Sequence, residues 1–100
     1  MRCLHLGEAI RAYRLKQNLS QLQLATQSGI AAHSIQRIEA GGIPNFDTLV
    51  RIVKGLGMTV PTLFRFVDID ASIDPAFQPE MTDGELLNCL NLLESTATSQ

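Results

Sequence analysis

The stretch Leu19 to Gly41, LSQLQLATQSGIAAHSIQRIEAG, decides the fold. Ser20 can cap a helix, because its hydroxyl accepts from a first-turn backbone N–H that has no helical partner. Gln23, three residues on, completes a capping box, and Leu19 and Leu24 are spaced as a hydrophobic staple. A helix is therefore expected from Gln21, with Leu24 and Ala25 inward and Leu22 at the edge. Gly29 ends it, since glycine enters the left-handed conformation without a Cβ penalty. A second helix is expected over about 31–40, with Ile35 and Ile38 inward and Gly41-Gly42 as its end. Two short helices around a glycine-bearing turn form a helix-turn-helix unit.

The rest of the front of the chain supplies the frame for that unit. Leu6, Ile10, Tyr13 and Leu15 make an inward stripe over about 6–17, and Asn18 tolerates the left-handed stop. Pro44 turns Ile43 away from helix. Asn45 can then cap a fourth helix of about 46–56, with Phe46, Leu49, Ile52, Val53 and Leu56 inward and Gly57 as its stop. Thr59 caps a fifth, short helix that carries Pro61 in its first turn, where a missing N–H costs nothing. Val60, Leu63 and Phe64 close the core. The expected fold class is all-α: five helices over residues 1–66.

From Val67 the character changes. Val67-Asp68-Ile69-Asp70 alternates apolar and acidic, as a short edge strand would. Pro75 and Pro79 mark a linker over about 74–80. Thr82 and Glu85 form another capping box, with Met81 and Leu86 as staple, before a helix of about 83–93. Leu86, Leu87, Cys89, Leu90, Leu92 and Leu93 make this helix apolar on nearly all sides, so it must bury itself on its own domain or on another chain. Leu86, Leu87, Leu90 and Leu93 are the candidate dimer seam. Residues 95–100 are expected to fray. The chain thus divides into a domain over 1–66 and an acidic extension over 67–100.

Charge divides at the same place. Residues 1–66 carry eight bases (Arg2 among them) against three acids, a formal +5, whereas residues 67–100 carry seven acids and no base. A basic front implies a polyanionic partner. Cys3 and Cys89 are far apart and outside any Cys-x-x-Cys pattern, so reduced thiols are expected. Cys3 and His5 lack the further ligands a metal needs. No apolar run approaches the roughly 20 residues of a membrane helix, and the first residues lack the apolar core of a secretory leader, so a cytoplasmic protein with no membrane partner is expected. No glycine-rich phosphate loop, His-x-x-x-His pair or nucleophile elbow occurs. Neither an enzyme nor a cofactor is expected.

The run Ser20-Gln21, Leu24-Ala25, Gly29-Ile30, Ser34-Ile35, Arg37-Ile38-Glu39, Gly41, continued by Pro44, Thr48-Leu49, Ile52, Leu56-Gly57 and Leu63-Phe64, resembles the XRE-like helix-turn-helix repressors of the phage Cro and repressor type. The resemblance covers roughly residues 6–64 and implies a lambda-repressor-like domain that binds double-stranded DNA. It implies that the second motif helix enters the major groove, which makes Ala32, His33, Gln36 and Arg37 the base-facing candidates. Their spacing puts them opposite Ile35 and Ile38. Arg37 suits guanine O6 and N7, Gln36 suits adenine, and Ala32 can touch only a thymine methyl. For phosphate the resemblance implies Gln21, Ser34, Asn45 and Thr48. Ser34 is equally explained by a local backbone bond, and Asn45 by its capping role. Arg14 and Glu39 match the family's internal ion pair.

The chain departs from the family pattern at three places. Ala31 stands where a Ser or Thr caps the recognition helix, the loop after Gly41 lacks its usual Lys or Arg, and the recognition helix has one base and opens on two alanines. Few direct contacts and modest affinity per half-site follow, so a regulator that pairs as a homodimer on a palindromic operator is the leading expectation. Its recognition helices would lie about 34 Å apart along the duplex. The alternative is an antitoxin or another module whose acidic tail holds a protein partner.

Overall fold

Seven helices follow one another among residues 4–98, the part of the chain that the computed structural model describes. They are α1 (Leu6–Lys16), α2 (Gln21–Ser28), α3 (Ala32–Glu39), α4 (Phe46–Gly55), α5 (Val60–Phe64), α6 (Ile69–Ser72) and α7 (Asp83–Thr98). Arg2 and Cys3 lie outside the described residues, as do the last two positions of the expected fraying end.

The local chemistry read from the central stretch is in place. Ser20 Oγ accepts from the Gln23 N–H at 3.0 Å while Gln23 Oε1 accepts from the Ser20 N–H at 2.7 Å. Gly29 closes α2 with φ 71°, and Asn18 follows α1 with φ 59°. Asn45 and Thr59 cap α4 and α5 through their side chains. At α7, Thr82 and Glu85 exchange the same pair of bonds. The hydrogen bonds from Thr82 hold the Glu85 carboxyl below the usual carboxylate range.

Around these caps α2 packs on α3 and α4, and α1 packs on α3, α5 and α7. Leu4, Ile10, Leu24, Ile35, Ile52, Leu63, Leu86 and Leu90 are the largest fully buried side chains, so residues from both charge halves share one core. Two close helix approaches depend on the absence of a side chain. A Cβ on Gly7 of α1 would lie 2.3 Å from the Ile38 carbonyl oxygen of α3, and one on Gly55 of α4 would lie 2.1 Å from Ser28 Oγ of α2.

Several expectations need correction. Phe46 does not face inward: it is 74% exposed, because the apolar face of α4 begins only with Leu49. Leu22 is likewise exposed rather than at an edge. The alternating segment after Phe66 is not a strand. Among the described residues its only pairing is a single parallel bridge from Leu4 to Val67, after which Asp68 caps the short helix α6 by accepting from the Ala71 N–H. One strand without a sheet has no ladder to join, whereas an aspartate cap suffices for one helical turn. Finally, α7 runs on to Thr98 instead of ending near Leu93.

The leucines proposed as a dimer seam have a partner within their own chain. Leu86, Leu90 and Leu93 are buried and belong to the core, with α7 packed on α1. Leu87 is half-buried, and Leu92 remains outward. Of the two outlets open to this apolar helix, the structure has packing in cis. Two ion pairs across the contact, Arg11 with Asp83 and Lys16 with Glu94, join the basic α1 to the acidic α7.

His5 shows how the ends of the chain are tied together. Its ring is 3% exposed, stacks on Phe77 at a centroid distance of 3.7 Å, and caps α1 by accepting from the Gly7 N–H at Nδ1. Burial lowers its pKa, against the opposing fields of Glu8 and Asp74. The folded state therefore binds its proton less readily than the unfolded chain. The His5 contribution to stability is full above the ordinary histidine value of about 6.5 and is lost as pH falls below it. Urea midpoints of the wild type should fall between pH 7.5 and pH 5.5, whereas His5→Asn, which keeps a capping acceptor, should lose less over that range. Equal slopes for the two proteins would remove His5 as the cause.

Candidate nucleic-acid interface

The outer face of α3 follows from what its inner face must bury. Ile35 and Ile38 are buried in the core and Glu39 is buried beside them. At 3.6 residues per turn this leaves His33, Gln36 and Arg37 outward, and all three are exposed. Ala32 differs from the expectation. It is half-buried and packs against the core, because position 32 lies within about 60° of Ile35 around the helix axis. The exposed face of α3 thus carries three polar side chains, with Ala32 at its margin.

The position of α3 is fixed from behind by a polar lock. Arg14 of α1 donates to Glu39 through Nε at 2.8 Å and through Nη2 at 3.0 Å. Its Nη1 donates to the Leu19 carbonyl at 2.8 Å, and Gln21 Nε2 donates to Glu39 Oε1 at 3.1 Å. One carboxylate thereby joins α1, the first residue of α2 and the last residue of α3. Sequence spacing alone could not tell whether Gln21 was free. Its amide is engaged with Glu39, and its backbone N–H belongs to the first turn of α2, at the positive end of the helix.

The other phosphate candidates are placed as follows. Ser34 is half-buried and makes no side-chain hydrogen bond among the described residues, so the local bond that would have accounted for it is not made. Asn45 Oδ1 accepts from the Thr48 N–H at 2.8 Å, which satisfies its capping role, and both residues sit at the start of α4. Ala31 gives α3 no side-chain cap, as its methyl requires. The C-terminal end is better held: the Gly42 N–H donates to the Arg37 carbonyl at 2.8 Å, and a Cβ on Gly42 would lie 2.9 Å from that same oxygen.

The basic side chains are divided between paired and free groups. Arg11, Arg14, Lys16 and Arg51 each have an acidic partner. Arg37 has no ion pair among the described residues and is exposed beside His33 on the outer face of α3. No group of acidic, histidine and cysteine side chains among the described residues is arranged to hold a metal ion. No helix among them is long and apolar enough to cross a membrane.

A helix pair with this turn, this polar lock and this exposed polar face matches the helix-turn-helix family model over residues 10–63, which spans α1 to α5. The chain belongs to the helix-turn-helix family. Its helix-turn-helix unit is of the DNA-binding XRE type, with α2 and α3 as the two motif helices. The chain is also 34% identical over 83 residues to the HTH-type transcriptional repressor RghR of Bacillus subtilis (strain 168), covering 81% of this chain and 62% of that protein. It therefore spans less than two thirds of its relative's length. What the sequence pattern missed lies outside the motif: Phe77, whose ring meets both His5 and the Gly41 turn, and the segment from it to Asp83 that runs beside α3. A lone aromatic inside a proline-bounded segment was the signal available for it.

Proposed function

We propose that this protein is a sequence-specific DNA-binding transcription regulator that reads base edges with His33, Gln36 and Arg37 of α3. The observation that carries the reading is the two-sidedness of α3. One side is anchored by Ile35, Ile38 and the Arg14–Glu39 lock, while the other offers three exposed polar side chains, one of them an unpaired arginine. A rigidly held helix with mobile-free anchoring behind it is what groove reading requires, since base contacts specify only when their geometry is fixed. Ser34, Thr48, Asn45 and the start of α2 supply the flanking phosphate contacts. The name of the Bacillus relative favours repression as the outcome of binding.

Three base readers per copy make a small recognition surface, which favours a homodimer on a palindromic operator. With the α7 leucines buried in cis, the surface for the second copy is the apolar face formed by Ile43, Ile69 and Ile73, all at least 60% exposed and grouped around one shallow recess. Ile43 puts this face at the loop that follows α3. The protein-partner reading of the tail loses ground because Asp83 and Glu94 already pair with Arg11 and Lys16.

The test is DNA selection followed by titration of the selected duplex at several salt concentrations, with Arg37→Ala alongside. Binding should weaken steeply with salt, at two copies per site. Arg37→Ala should cost about 1–3 kcal/mol on the selected site and relax the preference at one base pair per half-site. An Arg37→Ala variant that keeps the full preference removes α3 as the reading element.

A further inference from the structure

We propose that Arg11 is a further phosphate-binding residue of the DNA interface, occupied by Asp83 in the free protein, so that the segment 77–83 competes with the DNA backbone for it. The proposal rests on the DNA-binding reading above.

Arg11 and Arg14 line one open groove of about 500 Å³ together with Ser20, Gln21, Gln36 and Glu39. Gln36 places this groove at the edge of the base-reading face, and Ser20-Gln21 place it at the start of α2. A phosphate backbone flanking the recognition helix would run along it. The two arginines of the groove are held differently. Arg14 is 9% exposed and tied to a carboxylate that is 4% exposed. Its pairing cannot be exchanged without opening the core. Arg11 is 22% exposed and its partner Asp83 is 61% exposed. An ion pair with a solvated partner is worth little and exchanges readily.

The partner comes from outside the helix-turn-helix unit. Phe77, stacked on His5 and seated against Gly41, starts the segment, and Pro79 and Asp83 line the groove. Arg11 Nη1 also donates to the Met81 carbonyl at 3.3 Å. The segment thus brings Asp83 to the edge where a phosphate would lie. Two like charges meet there on binding, unless Arg11 turns from Asp83 to the phosphate. A phosphate offers the same pair of oxygens to the guanidinium as the carboxylate does.

Because phosphate contacts are independent of sequence, a mixed-sequence duplex of about 30 base pairs, roughly three turns, is a sufficient probe. Binding is followed by fluorescence anisotropy against salt for the full chain and its Asp83→Asn, Asp83→Glu, Arg11→Gln and Arg11→Gln/Asp83→Asn variants. Asp70→Asn, which removes one exposed acid elsewhere in the tail, is the charge-matched control. Asp83→Asn should bind about two- to fivefold tighter, the fold-change that corresponds to freeing one exposed pair. Adding Arg11→Gln should abolish that gain and lower the log–log salt slope by about 0.9. Asp83→Glu should behave as wild type. The proposal is overturned if Asp83→Asn binds no tighter than Asp70→Asn, or if its gain survives in the double variant. Wild-type binding with an unchanged Asp83→Asn removes only this proposal. Absence of salt-dependent binding in both proteins removes the DNA-binding reading as well. Thermal melts of each variant identify any that fail to fold, and Asp83→Glu then carries the comparison in the other direction, since a gain there contradicts the role of the charge.

Discussion

Gly7→Ala should destabilise the protein by about 3 kcal/mol, although alanine is the better helix former. The added Cβ would lie 2.3 Å from the Ile38 carbonyl oxygen, 3.2 Å from Glu39 Cα and 3.3 Å from the Glu39 carbonyl oxygen. All three are backbone atoms of α3, so no side chain can swing aside to relieve the contact. Either α1 or α3 must move, and both are fixed by Ile10, Ile35 and the Arg14–Glu39 lock. The gain in helix propensity, about 0.5–1 kcal/mol, is too small to offset a backbone collision. A control lies within the same chain. Gly84 of α7 has nothing within 4 Å of its ideal Cβ, so Gly84→Ala should stabilise by about 0.5–1 kcal/mol. Urea denaturation reads both, with the slope unchanged if the native state remains compact. Gly7→Ala should also weaken DNA binding more than its stability loss explains, because the helix it displaces is the one that reads bases. A Gly7→Ala protein as stable as wild type would mean that α1 and α3 do not approach as closely as described.

The contrast between these glycines explains why some of the molecule was legible in its sequence and some was not. Caps and stops act over three or four residues, and they could be read at Ser20, Gly29, Asn45, Thr59 and Thr82, each of which does its local work. Periodicity could likewise place Ile35 and Ile38 inward and Gln36 and Arg37 outward. A local pattern does not say where another element ends. Phe46 continues the apolar spacing of α4 yet lies in solvent, because the first turn of the helix has no neighbour to bury it. The same limit left the leucines of α7 with two outlets. Which one is taken depends on the shape of α1 and on the tether through Phe77 and His5, pairs of residues some seventy positions apart. Gly7 reads as a weak helix residue until α3 is placed against it. The acidic tail was legible as a charge imbalance, but the pairing of Asp83 with Arg11 was not.

Glu39→Ala should have the other large effect, about 3–5 kcal/mol, and its size follows from what it leaves behind. Glu39 accepts from Arg14 twice and from Gln21 once, and its side chain is 4% exposed. Truncation strands the Arg14 guanidinium, itself 9% exposed, with only the Leu19 carbonyl as a partner. A buried cation stripped of its counter-charge retains its full desolvation cost. Removing both charges is different: Arg14→Met combined with Glu39→Leu keeps volume and strands no buried charge, only the half-buried Gln21 amide and Leu19 carbonyl, so it should cost much less than the sum of the two single substitutions Arg14→Met and Glu39→Leu. The exposed pair of Asp47 and Arg51 on α4 gives the scale for an ordinary surface contact, and Asp47→Ala should change stability by less than about 1 kcal/mol. Urea denaturation of the wild type, Arg14→Met, Glu39→Leu and the double variant completes the cycle, with Glu39→Ala and Asp47→Ala measured beside it. A Glu39→Ala loss no larger than that of Asp47→Ala would show that the lock is solvated. DNA binding supplies the second readout. In the Arg14→Met/Glu39→Leu protein the core is intact, but the carboxylate that ties α3 to the first residue of α2 is gone. If the lock serves to aim α3, that protein should fold near wild-type stability and still lose discrimination between its selected site and mixed-sequence DNA, whereas a purely structural lock would leave discrimination unchanged once stability is restored.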